Sequence, residues 1–354
     1  MTLSVQSAID SLDAPGPDRL APVRIWLFVL AAAILIMVAI GGITRLTDSG
    51  LSITSWKPVS GIIPPLTDAD WQAEYDAYKQ IPEFTRQNSW MSVEDFKSIF
   101  WWEWSHRFFG RMIGFLFAVP FLVFLFQRRL SWRLAPSLAA LFVLGGFQGF
   151  LGWWMVSSGL SERVDVSQYR LAAHLGAASL LFAAIIWVAM RLGADSLERR
   201  APRPLTPLRK LMWLLVAMVF LQIILGAFVA GLDAGFGFNT WPLMEGKWIP
   251  DGLGDLQPAW RNLFENLLTV QFDHRVFAYL VGIVALVGLV LSLFSDDSRQ
   301  NQWMKTAFLL VLAQIMLGIL TLVLVVPIPL AVAHQSMALV LFGTLVAALA
   351  DLRR

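Results

Sequence analysis

The four histidines are the residues of this sequence best suited to chemistry. They are His106, His174, His274 and His334, and the 354 residues include no cysteine. Each histidine lies in or beside a long apolar run, where an ionisable side chain is costly and usually functional. One such histidine alone would be explained more simply as a hydrogen-bonded core residue, but here every histidine follows the same pattern.

Two histidines that face each other inside a four-helix bundle are natural axial ligands for haem iron. A zinc ion would need a third or fourth nitrogen, sulfur or oxygen ligand, and no H-x-x-x-H or E-x-x-H pair recurs in both halves of the chain to supply it. The absence of cysteine also excludes disulfides, cysteine-held iron–sulfur clusters and thiolate haem ligands. The sequence therefore predicts two bis-histidine haem sites, one in each half.

Glu103 is the acid best placed to take part in chemistry at one of these sites. It precedes His106 by three positions, so the two side chains share a face if the helix extends that far outwards. A carboxylate beside a haem in a partly dry site can act as a base or stabilise a developing cation. The alternative is a solvated acid at the membrane interface.

Three arginines accompany the histidines. Arg107 and Arg275 directly follow His106 and His274. Their guanidinium groups could pair with the propionates of a haem, and Arg111 is a further candidate for this role. They could equally anchor the helix ends at the membrane interface.

The two halves of the sequence resemble each other segment by segment. Asp48, Gly50, Trp56 and Gly61 recur with the same spacing as Asp233, Gly235, Trp241 and Gly246. The segments that begin at His106, Gln148 and His174 recur at His274, Gln314 and His334. The offset in numbering shrinks gradually along the chain, as insertions and deletions in loops would cause. Four matches in the same order indicate two related four-helix halves.

The two halves differ at the position of Glu103. The counterpart of Glu103 is Gln271, which precedes His274 as Glu103 precedes His106. One half therefore offers a histidine pair with a carboxylate, and the other offers a pair with an amide at the matching position. Asp273 is adjacent to His274, but it points to another face of the helix.

The apolar runs predict eight helices that cross a membrane. Hydrophobic residues make up 57% of the chain and charged residues 15%, whereas soluble domains carry about 45–50% and about 25%. The runs occupy 23–43, 107–126, 134–156, 169–190, 211–231, 273–294, 305–326 and 331–349. The segments 44–106 and 232–270 between them are expected to form short amphipathic helices on the outer surface. The net charge of +2 argues against a nucleic-acid-binding chain.

The distribution of Lys and Arg predicts the orientation. Basic residues are concentrated near 128–133 and in 191–210, so these loops and both termini are expected in the cytoplasm. The predicted division is a tail at 1–22, a first half at 23–190, a linker at 191–210, a second half at 211–349 and a tail at 350–354. The N-terminal tail is acidic and resembles neither a secretory signal nor a transit peptide.

Three segments carry a resemblance to a known family. They read G-G-I-T-R-L-T-D-S-G-L-S-I-T-S-W-K-P-V-S-G-I-I-P-P-L at 41–66, E-W-S-H-R-F-F-G-R at 103–111 and F-D-H-R at 272–275. They resemble the haem A synthases, bacterial and mitochondrial membrane enzymes that make haem A for cytochrome c oxidase. The similarity extends from the first helix to His334. Some members carry a cysteine pair in the first outer loop, so this chain is similar to the cysteine-free kind. Its acidic N-terminus favours a bacterial inner membrane.

The resemblance implies an all-α membrane protein with eight helices in two pseudo-symmetric four-helix bundles. It implies that His274 and His334 ligate a resident haem b, with Arg275 beside it, and that His106 and His174 hold haem O as the substrate. It further implies an oxidoreductase that converts the C8 methyl group of haem O to a formyl group by successive hydroxylations with water as the oxygen source. Glu103 is then the catalytic carboxylate.

The same resemblance defines the expected partners. Haem O is delivered within the bilayer, so the site must open to lipid, and haem O synthase, a farnesyltransferase, is the expected upstream partner. The electron acceptor and a homo-oligomer stay open. Two other functions remain as alternatives: a di-haem cytochrome, which does not call for the difference between Glu103 and Gln271, and a haem carrier, which would need one exchangeable site.

Overall fold

The computed structural model describes residues 17–192 and 206–352, and eight long helices dominate this part of the chain. They are α1 (Pro17–Leu46), α2 (Val93–Phe126), α3 (Leu134–Val156), α4 (Gln168–Leu192), α5 (Pro207–Gly231), α6 (Leu267–Ser292), α7 (Ser298–Val323) and α8 (Ile328–Leu352). All eight are long and apolar enough to cross a membrane. The described residues form no β-strand. The predicted class, an all-α membrane protein with eight spans, is confirmed.

α2 differs most from its predicted span, because it begins at Val93 rather than at 107. Ser92 and Asp95 form a capping box in which Ser92 Oγ accepts from Asp95 N at 3.3 Å and Asp95 Oδ2 accepts from Ser92 N at 3.0 Å. The extra turns are rich in polar residues, so an apolar run could not reveal them. Glu103 and His106 therefore lie on one continuous helix. The helix thus extends far enough for the two side chains to share a face.

The predicted tails and linker shift in the same way. α1 begins inside the predicted tail 1–22, and α8 ends inside the predicted tail 350–354. Thr206 Oγ1 accepts from Arg209 N at 3.2 Å and starts α5 at Pro207, so the end of the predicted linker 191–210 is helical. Residues 193–205 of that linker lie outside the described residues.

The first outer segment contains the short helix that was expected there. Asp68–Tyr78 begins with a capping box between Thr67 and Asp70, and it packs its aromatic side chains on the first turns of α2. The ring centroids of Tyr78 and Phe96 are 5.2 Å apart. The second segment, between α5 and α6, contains single helical turns, at Ala234–Gly237, Ala259–Arg261 and Asn262–Glu265.

Four helices form the centre of the bundle. α1 and α5 each contact both α4 and α8, and α4 contacts α8. At the contact between α4 and α8, the Phe182 ring lies on Gly343, where an added Cβ would be 2.6 Å from the ring. Small residues of this kind let membrane helices approach closely. α2 and α3 lie on one flank of this centre, and α6 and α7 lie on the other.

Candidate active site

The histidines lie one on each even-numbered helix. His174, His274 and His334 are the seventh or eighth residues of α4, α6 and α8. His106 is the fourteenth residue of α2, because α2 begins about two turns earlier relative to its histidine. In α4, α6 and α8 the predicted ligand thus lies about two turns from the N-terminal end of its helix, and in α2 it lies about four turns from that end.

His274 and His334 face each other across the second half of the chain. Their ring centroids are 6.4 Å apart, and the ring planes are at 82°. Two imidazole nitrogens that each bind one metal ion at about 2 Å place their ring centres about 6 Å apart. The spacing thus fits an axial pair on one haem iron. His106 and His174 are close enough for their charges to interact.

A glycine on the preceding helix faces each histidine ring. The pairs are Gly41 with His106, Gly152 with His174, Gly226 with His274 and Gly318 with His334. A Cβ added to these glycines would lie 2.8 to 3.4 Å from the ring, tight enough that the ring would have to shift at the closest of them. The contacts follow the sequence repeat, because Gly226 is the counterpart of Gly41 and Gly318 is the counterpart of Gly152.

Two glutamines hold the second histidine pair. Gln222 Nε2 donates to the His274 carbonyl at 2.9 Å and lies 3.0 Å from His274 Nδ1. Gln314 Nε2 donates to the His334 carbonyl at 3.0 Å and lies 3.2 Å from His334 Nδ1. In both cases the amide nitrogen lies within 3.4 Å of both ring nitrogens, so each glutamine fixes the position of its histidine ring relative to the backbone.

The first histidine pair lacks these contacts. Met37 stands where the repeat would place the counterpart of Gln222. Gln148 is the counterpart of Gln314, but Gln148 Oε1 and His174 Nδ1 are both buried without a hydrogen-bond partner among the described residues. The two pairs therefore differ: one is held by amide groups, and the other has unsatisfied polar atoms beside a ring.

Sequence reasoning assigned no role to Gln222 or to the four facing glycines. The signal was present as three segments in which a glutamine precedes a glycine by four positions, at Gln148, Gln222 and Gln314. That spacing puts the glutamine and the glycine on one helix face. Only the segments at Gln148 and Gln314 correspond to each other in the repeat. The segment at Gln222 has no glutamine at its matching position, so the repeat gives no indication of its role.

Glu103 is buried in the first half of the chain. Its exposed fraction is 3%, and Arg107 Nε donates to its Oε1 at 2.6 Å. It is thus not a solvated surface acid. Gln271 is equally buried, at 4% exposed, but its Oε1 has no partner within the described residues. At this position the two halves therefore differ both in residue type and in the hydrogen bonding of the side chain.

Arg107 and Arg275 hold outer segments against their helices. Arg107 Nη1 donates to the Ser55 carbonyl at 3.0 Å, and Arg275 Nη2 donates to the Thr240 carbonyl at 2.7 Å. Thr240 is the counterpart of Ser55, so the two contacts also follow the repeat. These contacts give both arginines a structural role that the sequence did not reveal.

Arg111 likewise donates to the carbonyls of residues 57 and 58, at 2.8 and 2.9 Å. Some donors of these arginines remain free for another acceptor, because Arg111 Nη1 and Arg275 Nε are buried without a hydrogen-bond partner in the described ranges. Binding of haem propionates by these arginines stays a prediction.

Fold and site together define a class: a multi-pass helical membrane protein with intramembrane histidine pairs suited to haem. The family model of the cytochrome oxidase assembly proteins (COX15-CtaA) matches residues 24–346. The chain is 52% identical to the heme A synthase of Parvibaculum lavamentivorans over 321 residues, 91% of each chain. It is 51% identical to that of Chelativorans sp. over 94% of this chain and 91% of the relative. The chain belongs to the haem A synthase family, and the resemblance seen in the motifs is confirmed.

Proposed function

We propose that this protein makes haem A by oxidising the C8 methyl group of haem O to a formyl group. The observation that carries the proposal is a buried carboxylate, Glu103, beside the histidine pair of one half only. A chain that merely transferred electrons between two haems would have no use for this difference. The two relatives named above are heme A synthases, and this supports the same reaction.

The two histidine pairs take different haems in this proposal. His106 and His174, with their unsatisfied polar neighbours, hold the substrate haem O, which must enter and leave. His274 and His334, whose spacing and amide partners suit a permanent ligand, hold haem b. Haem b, when bound, would supply a one-electron carrier beside the active half.

Glu103 acts on the water that supplies the oxygen. The first oxidation converts R–CH3 and H2O to R–CH2OH, two protons and two electrons. A second hydroxylation gives a hydrate that loses water to leave the formyl group. The electrons pass to an external acceptor. In a site shielded from solvent, the Glu103 carboxylate can accept a proton from water and stabilise positive charge on the methyl carbon, while Arg107 fixes its position.

Pigment extraction tests this function. The purified protein, made with and without co-expressed haem O synthase, is extracted and its haems are separated. We expect haem b in both preparations, and haem O or haem A only when haem O synthase is present. Haem b alone in both preparations would identify an electron-transfer cytochrome instead.

The close glycine contacts yield a prediction about haem b. An added Cβ at Gly318 would lie 2.8 Å from the His334 ring, so Gly318→Ala should displace that ring and lower the haem b content several-fold. Gly146→Ala is the control, because nothing lies within 4 Å of its added Cβ. Absorbance of the extracted haem per mole of protein measures the effect. A full complement of haem b in Gly318→Ala would show that this contact does not position the ligand.

The orientation and the division into halves remain part of the proposal. The basic loops support a bacterial inner-membrane protein with both termini in the cytoplasm and the histidines towards the outer face. The recurring glycine and arginine contacts support two related halves near 23–190 and 211–349. Haem O synthase is the proposed upstream partner.

A further inference from the structure

Glu83 is a buried acid to which the proposed reaction gives no role. It directly precedes the helical turn Phe84–Asn88, is 3% exposed, and its Oε2 has no hydrogen-bond partner among the described residues. The hydroxyl of Tyr78 is close enough to influence its charge, and this hydroxyl accepts a hydrogen bond from Asn88 Nδ2 at 2.8 Å. An acid buried in this way is costly unless it serves a purpose.

Glu83 is close enough to three other acids, Glu103, Asp48 and Asp165, to interact with them electrostatically. Asp48 and Asp165 are exposed. With Arg45 and Asp233 they line a small pocket of about 30 Å³, to which residues of both halves contribute.

We propose that Glu83 relays protons from Glu103 to Asp48 and Asp165, and through their pocket to the outer solution. This inference rests on the proposed function, in which each hydroxylation converts R–CH3 and H2O to R–CH2OH with the release of two protons and two electrons. Glu103 must therefore be freed of its proton before it can act again. The long apolar helices block a path for protons in the opposite direction. The available route therefore runs through the acids towards the outer surface.

The surroundings of Glu83 suit a proton carrier. The groups that face it are Glu103 from α2, Asp48 from the loop after α1, Asp165 from the loop after α3, and Tyr78 from the short outer helix. Burial, together with the charges of Asp48 and Asp165, raises the pKa of Glu83 to about 8. A group with such a pKa can both take up and release a proton near neutral pH.

The variant Glu83→Gln tests the relay, since it keeps the shape of the side chain and removes the titratable group. Haem A formation from haem O is followed in the purified holoprotein between about pH 6 and 9. We expect the wild-type rate to rise with pH through about 8 as Glu83 loses its proton. In Glu83→Gln the rate should fall about 10-fold or more and lose this rise, with haem b and haem O still bound.

Glu162→Gln is the matched control, because Glu162 is an exposed acid on the same loop as Asp165. It should keep both the rate and the pH profile. Infrared spectra of the protein without haem O give a readout independent of turnover: a carboxyl C=O band that titrates near pH 8 should be present in wild type and Glu162→Gln and absent in Glu83→Gln.

Three outcomes decide between the proposals. A wild-type rate and pH profile in Glu83→Gln would overturn the relay and leave the proposed function intact. No haem A from the wild-type protein in the same assay would overturn the proposed function itself. If Glu83→Gln fails to fold, Glu83→Met, which also removes the titratable group, takes its place, and a wild-type rate and pH profile would again overturn the relay.

Discussion

Replacing Glu103 with glutamine should stop haem A formation while both haems remain bound. The side chain is buried and receives a hydrogen bond from Arg107 Nε at 2.6 Å, and glutamine can still accept it. The repeat already places an amide, Gln271, at the equivalent buried position, so Glu103→Gln should fold. It removes the negative charge and the proton acceptor together, so haem A formation should fall by about 100-fold or more, the effect expected for losing a positioned base.

The ratio of haem A to haem b in the purified variants measures this effect. Glu103→Asp should give an intermediate ratio, because the charge remains but retreats by one methylene group. Glu94→Gln, at an exposed acid in the first turn of the same helix, should behave as wild type. If Glu103→Gln converts haem O normally, the buried acid serves only to hold Arg107.

Replacing single histidines should show which half of the chain holds which haem. His274→Ala or His334→Ala removes one ligand of a pair whose rings are 6.4 Å apart. Binding by two axial ligands depends on both, so haem b should be largely lost. His106→Ala or His174→Ala should leave haem b in place and abolish both haem O binding and haem A formation.

Extracted haem b and haem O per mole of protein measure these effects, with each histidine variant compared under co-expression of haem O synthase. The variants at His274 and His334 serve as controls for those at His106 and His174, and the reverse. If His106→Ala loses haem b and His274→Ala retains it, the assignment of the two haems to the halves is reversed.

The sequence predicted the eight spans correctly and limited the candidate haem ligands to histidines, because both features leave a local trace. An apolar run of about 20 residues is visible without any tertiary contact, and four histidines with no cysteine leave few other ligand sets. The first turns of α2 left no such trace. They are set by the capping box of Ser92 and Asp95, outside the apolar run.

The surroundings of the candidate site could not be predicted in the same way, because they come from distant segments. The burial of Glu103 depends on Arg107 and on the loop that Arg107 holds through Ser55. Glu83 gave no signal at all, since the acids that face it come from three other segments of the chain. Their proximity is a property of the fold and not of any spacing.

The contacts at the centre of the bundle bear on how the chain arose. α1 contacts α8 as α5 contacts α4, and α4 meets its own counterpart α8; this reciprocity is what a two-fold dimer of four-helix units would leave behind. In a dimer of identical subunits, the acid at position 103 would be present in both pockets or in neither. Fusion of two such copies into one chain frees them to diverge, so that a carboxylate can stand at position 103 and an amide at the matching position 271.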